Sequence, residues 1–253
     1  MSTIADTVDT TADAYRANRE SMLDHIARIE ALVDEAVAGG GEEYVARHRS
    51  RGKMLARERI ARLVDRDSPF LELGPIAGAG TDFPVGGSVV AGIGVVADVV
   101  CLILASDPTV RGGAVNPIGL AKGLRCHRIA AENRLPLIYL VESGGADLPS
   151  QADIFVPGGA SFRNLTRLSA AGIPTVSIVF GNSTAGGAYL PGMSDHVVMI
   201  RNASKVFLAG QPLVKMATGE DADEEALGGA EMHATVSGLA DYLGEDEDDA
   251  LRI

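Results

Sequence analysis

Two glycine-rich segments, each directly after an apolar run, carry the residues of this sequence best suited to chemistry. The first is 142–146 (ESGGA) and the second is 182–188 (NSTAGGA). Glycine has no Cβ, so a ligand can approach its backbone closely. Two such loops on neighbouring strands would supply N–H groups to one oxygen atom, as in an oxyanion hole for a thioester enolate; ordinary tight turns are the alternative. The candidate catalytic residues are Gly144, Gly145, Gly186 and Gly187.

Side-chain catalysis has weaker support. Ser143 and Ser183 lie in the two loops, but neither stands in the Gly-x-Ser-x-Gly pattern of a nucleophile elbow. Of the five histidines, His196 and His233 are candidate bases, with a structural role as the alternative for each. No group of histidines, cysteines and carboxylates has the spacing of a metal site, so no bound metal is expected.

Two carboxylates flank the first loop. Glu142 and Asp147 could form a pair for proton transfer, but such residues more often cap helices or accept bonds from loop N–H groups. These residues alone therefore predict an enzyme that transfers acyl groups or stabilises an enolate, without an obvious proton-transfer pair of its own.

The elements that would position the loops are strands and crossover helices. Buried strands predicted at 137–141 and 174–181 lead directly into the two loops. Helices are predicted at 116–133, where Asn can cap and Pro suits the first turn, and at 161–171. This alternation indicates an α/β fold with parallel strands, whose ligands bind at the carboxyl ends of the strands. Further predicted elements are strands at 89–94, 99–106, 196–200 and 205–208 and a short helix at 188–191.

The first part of the chain is predicted to be helical. Four apolar residues recur on one face of a helix that ends before three glycines, and a second helix is predicted at 54–64. Its arginines are expected to be solvated partners of nearby carboxylates, or else a basic patch near a phosphate. The apolar residues are Met22, Ile26, Ile29 and Val33, and the arginines are Arg57, Arg59 and Arg62.

Composition excludes several classes of protein. The net charge of −12 argues against a nucleic-acid surface, which needs clustered Lys and Arg, and the acidic segment 244–249 is expected to be solvated. Cys101 and Cys126 lie in apolar surroundings and are expected to be buried thiols. The polar N-terminus does not resemble a signal peptide, and glycines and Asp98 interrupt the longest apolar stretch, so no membrane helix is expected. A cytoplasmic protein is predicted.

Several longer motifs resemble one family. The runs RGKMLARERI, DRDSPFLEL, ESGGADLPSQAD, GNSTAGGAYLPGMSD and KVFLAGQPLVKMATGED occur in that order between about residue 45 and the end. They are similar to the carboxyltransferase β subunits of biotin-dependent acyl-CoA carboxylases, with the first loop most like the methylcrotonyl-CoA type. The segments lie at 51–60, 65–73, 142–153, 181–195 and 205–221.

The resemblance implies a crotonase-like fold of repeated ββα units at 70–253, after a helical leader at 1–69. It implies that a carboxyl group moves from carboxybiotin to an acyl-CoA, with the biotin anion taking the substrate proton. Gly186 and Gly187 would then stabilise the enolate oxygen, and Gly144, Gly145 and Ala146 would form a facing wall. The residues implied to bind substrate are Ala146, Ala185, Arg111, Gly112 and Gly113.

The resemblance also implies partners. Biotin would arrive on a carrier that belongs to a biotin carboxylase or carrier subunit, and the family forms homo-hexamers. A second crotonase-like domain that holds biotin would follow residue 253, so this chain is expected to be half of such a subunit. Glu142 stands where many relatives have Asp, and Asn182, in place of a small residue, is expected to reshape the acyl pocket.

Two rival functions stay open at this point. The chain could be another crotonase-fold CoA enzyme, such as a hydratase, isomerase or decarboxylase, for which Glu142 is the candidate base. It could also be a non-catalytic module that binds CoA or assembles with partners.

Overall fold

The computed structural model describes residues 6–253. The helices are Asp13–Val37 (α1), Glu42–Arg49 (α2), Ala56–Leu63 (α3), Pro117–Asn133 (α4), Gln151–Ala170 (α5), Tyr189–Gly192 (α6), Gln211–Thr218 (α7), Glu224–Gly228 (α8), Ala230–Met232 (α9) and Glu247–Arg252 (α10). The strands are Leu71–Glu72 (β1), Val89–Val96 (β2), Val99–Ser106 (β3), Leu137–Ser143 (β4), Thr175–Thr184 (β5), His196–Ile200 (β6), Lys205–Phe207 (β7) and Tyr242–Gly244 (β8).

The strands form one mixed sheet of eight. Its order is β1-β2-β3-β4-β5-β6-β8, with β7 also paired to β5. Strands β1, β2 and β3 are antiparallel, whereas all pairs from β3 onwards are parallel. The predicted meander of the first two long strands and the predicted parallel arrangement of the later strands are both confirmed. Parallel strands need crossover connections, and α4 and α5 supply two of them.

Both faces of the sheet are covered. In β4, Ile138 and Leu140 belong to one core cluster, with α3 and α10 on that side. Leu137, Tyr139 and Val141 point to the other face, where α4 and α5 pack. This two-sided burial explains why the central strands are continuously apolar instead of alternating.

Helix α4 shows how local sequence sets an element. The Asn116 side chain accepts a hydrogen bond of 2.8 Å from the Gly119 N–H, and Pro117 occupies the first turn, where its missing N–H is harmless. Helix α5 was predicted to begin at 161, but it begins at Gln151. The additional turns contain Pro157 and two glycines, residue types that disfavour a helix interior.

Helix α1 carries the predicted apolar face, on which Met22 and Ile29 are half-exposed. Two other expectations need correction. The acidic segment 244–249 is not simply solvated, since it contributes to α10 and buries most of the Glu247 side chain. Arg59 is completely buried, with 0% exposure, and is therefore neither solvated nor part of a surface patch. Cys101 and Cys126 are buried free thiols, as predicted. The domain boundary at residue 69 stays a prediction.

Candidate functional site

The two glycine loops begin side by side. Strands β4 and β5 are adjacent and parallel, and Ser143 is paired with Ser183 across them. The carboxyl ends of parallel strands share one edge of a sheet, so the residues that follow each strand meet there. The contact is direct, because a Cβ added to Gly145 would lie 3.2 Å from the carbonyl oxygen of Thr184.

The N–H groups of the first loop have different partners. The Gly144 N–H donates to the Gly112 carbonyl at 3.0 Å, and the Gly145 N–H donates to Ser143 Oγ at 3.1 Å. The Val115 N–H donates to the Gly145 carbonyl, and the Asp147 N–H donates to the Val115 carbonyl. Because both neighbours of Ala146 face Val115, the Ala146 N–H points to the opposite side of the chain. Within residues 6–253 that N–H has no hydrogen-bond partner. Ala146 is therefore the free donor of this loop.

The second loop is a short 3-10 turn, Ala185–Ala188. Each N–H in such a turn bonds the carbonyl three residues earlier, so the N–H groups of Ala185 and Gly186 have no partner within it. A Cβ built on Gly186 meets no atom within 4 Å, and Ser183 Oγ fixes the turn by donating to the Gly187 carbonyl at 2.9 Å. The loop thus presents its backbone to open space at its first residues.

The segment Arg111–Gly113 supports the first loop from behind. All three residues have positive φ angles, which glycine tolerates at two of the positions. A Cβ on Gly113 would lie 2.3 Å from the Glu142 carbonyl oxygen, so only glycine fits there. The Ser143 hydroxyl donates to the Gly113 carbonyl at 2.7 Å.

A mainly apolar cavity of about 160 Å³ opens at the loops. Of the predicted site residues, Gly145, Ala146, Gly186 and Gly187 line it. Gly144, Ala185 and Arg111–Gly113 lie beside these residues but do not line the cavity. Asn182, expected to reshape the acyl pocket, does not line this cavity: it is exposed and pairs with Lys205 in β7.

Sequence reasoning missed the deeper walls of the cavity. They come from one face of α4, from α5 and from the side chains of β2, β3 and β4 that face these helices. The signal in the sequence was a pair of glycines four residues apart in α4, which leaves that helix face without side chains. The residues that contribute these walls include Gly119, Gly123, His127, Tyr139, Ile154 and Phe162.

A buried ion cluster lies behind the loops. Lys53 forms an ion pair with Glu142 and donates to the Phe180 carbonyl at 3.1 Å. Arg59 lies 2.8 Å from Glu142 and 2.6 Å from Glu247, and its guanidinium stacks 4.2 Å above the Phe180 ring. Because two cations hold the Glu142 carboxylate, Glu142 is poorly suited to act as a base.

The other candidate acids and bases also have structural partners. Asp147 lies 3.4 Å from Arg111 and accepts a bond from Ser150, so no carboxylate pair with Glu142 forms. His233 contacts the Val206 carbonyl at 2.8 Å and Ser237 at 2.7 Å. His196 is exposed beside the Tyr242 ring. Neither histidine lines the cavity.

The described residues offer neither a metal-type cluster nor a membrane-spanning helix. Between residues 6 and 253, no three or more His, Cys, Asp or Glu side chains are grouped as a metal site would require. Over the same residues, no helix combines the length and hydropathy needed to cross a bilayer.

Comparison with known proteins gives consistent relatives. A probable biotin-dependent acyl-coenzyme A carboxylase beta2 subunit of Mycobacterium tuberculosis is 63% identical over 98% of this chain and 47% of the relative. The mitochondrial methylcrotonoyl-CoA carboxylase beta chain of Arabidopsis thaliana is 47% identical over 96% of this chain and 42% of the relative. The chain therefore spans about half the length of the curated relatives it matches.

Solved structures agree with these relatives. The beta subunit of P. aeruginosa geranyl-CoA carboxylase superposes with a TM-score of 0.91 at 46% identity, covering 98% of this chain and 47% of that one. The transcarboxylase 12S hexamer, with methylmalonyl-coenzyme A bound, gives 0.82 at 29% identity over 92% of this chain and 46% of that one. The predicted crotonase-like α/β fold is confirmed. The model of the carboxyl transferase domain matches residues 47–253, and the chain belongs to that family.

Proposed function

We propose that this chain forms the acyl-CoA side of a biotin-dependent carboxyltransferase. The observation that supports this is the meeting of two glycine loops at the mouth of an apolar cavity. The Ala146 N–H has no hydrogen-bond partner among residues 6–253, and the Gly186 N–H has none within its own turn. The thioester carbonyl would lie between the second loop, at Gly186 and Gly187, and the facing Ala146 N–H. Donors fixed in advance around a developing negative charge stabilise an enolate without reorganisation.

The ionic environment of the loops is consistent with a base that comes from elsewhere. Biotin on a partner carrier would supply the carboxyl group and, after its release, the atom that takes the substrate proton. The two carboxylates nearest the loops, Glu142 and Asp147, are held by Lys53, Arg59 and Arg111. This pairing disfavours the rival hydratase or isomerase, which would need a free side-chain base.

The cavity volume bounds the acyl group. A dry protein cavity of about 150 Å³ holds a molecule the size of benzene, and this one measures about 160 Å³. We therefore propose a short or branched acyl chain of roughly four to six carbons.

The assembly proposed for this chain follows its relatives. The transcarboxylase relative is described as a hexamer, and we propose a homo-oligomer that receives biotin from a biotin carboxylase or carrier subunit. Exposed apolar residues on α5 and α7 support the proposal that another subunit covers these helices, since exposed apolar surface on a protein commonly marks an interface. These residues are Phe155, Val156, Leu213 and Met216. Action in the cytoplasm stays a prediction.

The test is calorimetric titration with acetyl-, propionyl-, 3-methylcrotonyl- and palmitoyl-CoA, with free CoA as the reference. We expect the tightest binding for 3-methylcrotonyl-CoA or a similar short chain. Infrared spectroscopy of the bound ¹³C-labelled thioester carbonyl should show a shift to lower frequency, because hydrogen bonds weaken the C=O bond. Binding without a frequency shift would favour the non-catalytic CoA-binding module instead, and failure of every acyl-CoA to bind would contradict the proposal.

A further inference from the structure

The deep wall of the cavity carries a polar pair that the carboxyl-transfer chemistry does not use. His127 on α4 and Tyr139 on β4 both line the cavity, and they are only 3% and 4% exposed. His127 Nε2 and the Tyr139 hydroxyl share a hydrogen bond, with the rings nearly perpendicular. Burial lowers the pKa of His127 to about 4 and raises the pKa of Tyr139, so both groups are neutral at physiological pH.

This pair leaves hydrogen-bonding capacity unused. His127 Nδ1 is buried and has no partner among residues 6–253. If the Nε2–H donates to the tyrosine oxygen, the Tyr139 O–H remains free to donate. If the Tyr139 O–H donates to Nε2 instead, the Nδ1–H remains free. In either tautomer one donor of the pair is unused, and a buried polar group without a partner is destabilising.

A cavity that received only hydrocarbon would have no use for these groups. Leucine and phenylalanine would fill the same positions without the desolvation penalty, as apolar residues do elsewhere in the lining, at Leu104, Leu120 and Val141. Tyr139 lies in the first half of β4, away from the loop that follows this strand. Two polar side chains kept there in an apolar cavity indicate that a ligand group bonds them. Sites built to bond a substrate hydroxyl discriminate strongly against analogues that lack it.

We propose that His127 and Tyr139 are specificity residues for acyl-CoA chains that carry an uncharged hydrogen-bonding group, such as a hydroxyl or a ketone, at the far end. The inference rests on the proposed function, because it places the acyl chain in this cavity. A carboxylate at the chain end is disfavoured, since both residues are neutral and an isolated charge is costly to bury. His127 also lines an adjacent groove between α4 and α5, but the three arginines of that groove are exposed and do not line the acyl cavity.

The test compares matched ligands in the whole chain. Butanoyl-, pentanoyl- and hexanoyl-CoA and their ω-hydroxy counterparts are titrated by calorimetry. At the chain length that reaches the pair, the hydroxylated ligand should bind at least about fivefold more tightly, as expected for one net hydrogen bond. The double variant His127→Phe/Tyr139→Phe should reverse this preference, because the hydroxyl then enters a fully apolar cavity. Replacing both partners together avoids leaving one of them unpaired.

The outcomes separate the two proposals. If every hydroxylated ligand binds wild-type protein more weakly than its parent, the specificity proposal is wrong, and this comparison needs no variant. If the double variant folds and keeps the wild-type preference, the hydroxyl is bound elsewhere and the assignment to His127 and Tyr139 is overturned. If the double variant does not fold, the comparison of the three matched ligand pairs on wild-type protein still tests the specificity proposal. Failure of all six ligands to bind would overturn the proposed function itself and this inference with it.

Discussion

Gly186→Val should block the proposed thioester site while leaving the fold intact. Gly186 does not have a positive φ, and a Cβ built there has no atom within 4 Å, so the backbone accepts a larger residue without strain. The same residue lines the cavity mouth. The added side chain therefore projects into space that the acyl-CoA would occupy in the proposed function, and not into the protein core.

The expected loss follows from the displaced apolar contact. If the three side-chain carbons of valine exclude two acyl methylenes from the cavity, binding loses about 1.6 kcal/mol at about 0.8 kcal/mol per buried methylene. That corresponds to about 15-fold weaker binding. Carboxyl transfer should fall further, because a carbonyl held away from the loop N–H groups loses a stabilisation of the kind that is worth about 10²–10³ in rate.

Calorimetry with a short acyl-CoA measures the first effect, and carboxyl transfer from a carboxylated carrier in the assembled enzyme measures the second. Gly192→Val is the matched control, because Gly192 also has open surroundings but lies outside the cavity. Both variants should keep the wild-type midpoint of thermal unfolding within a few degrees. Wild-type affinity and turnover in Gly186→Val would refute the placement of the thioester at this loop.

Three further results are expected. Lys53→Met should lower the free energy of unfolding by about 1–3 kcal/mol, because it removes a cation from a largely buried cluster; Lys215→Met, at an exposed ion pair, should cost less than about 1 kcal/mol. Burial lowers the pKa of Lys122 from 10.5 to about 8, so between these pH values the unfolded chain binds the extra proton and Lys122 contributes a rise of stability with pH. Cys126 contributes a fall over part of the same range, because burial raises its pKa from 9.0 to about 11. Lys122→Met should remove that rise in pH-dependent denaturant titrations, and an unchanged slope would contradict it. Gly123→Leu should weaken hexanoyl-CoA binding more than acetyl-CoA binding, whereas Gly159→Leu, outside the cavity, should affect neither.

Local signals allowed much of the fold to be predicted. The bounds of β3 match the prediction, and α4 is predicted to within its cap, because a continuous apolar run and an Asn-Pro start are encoded within a few neighbouring residues. The placement of both glycine loops at one sheet edge also followed from the sequence, since it requires only that two successive buried strands be parallel. The loops themselves were identified, but not which of their N–H groups are free.

What the sequence did not reveal depends on residues far apart in the chain. From the sequence, Arg59 was predicted to lie on the solvated face of a helix. In the structure it is buried and bonds Glu247, which lies 188 positions later in the chain. Lys53 and Glu142 are 89 positions apart. No periodicity connects such residues, because their pairing is a consequence of the complete tertiary fold. The proposed acyl cavity was missed for the same reason: its walls come from two helices and three strands that meet only in the folded protein.

The ion cluster links the helical segment before the sheet to the proposed catalytic loops. Lys53 bonds Glu142, the residue before Ser143 at the end of β4, and also the carbonyl of Phe180 in β5. One side chain thus ties together the two strands from which both loops start. A Cβ at Gly181 would lie 2.7 Å from the Glu142 carboxylate and 2.8 Å from the Lys53 ammonium, so the first glycine of the second motif makes room for this ion pair and not for substrate. The leader is therefore part of the support that fixes the spacing of the loops, and the spacing of the loops is what an oxyanion hole requires.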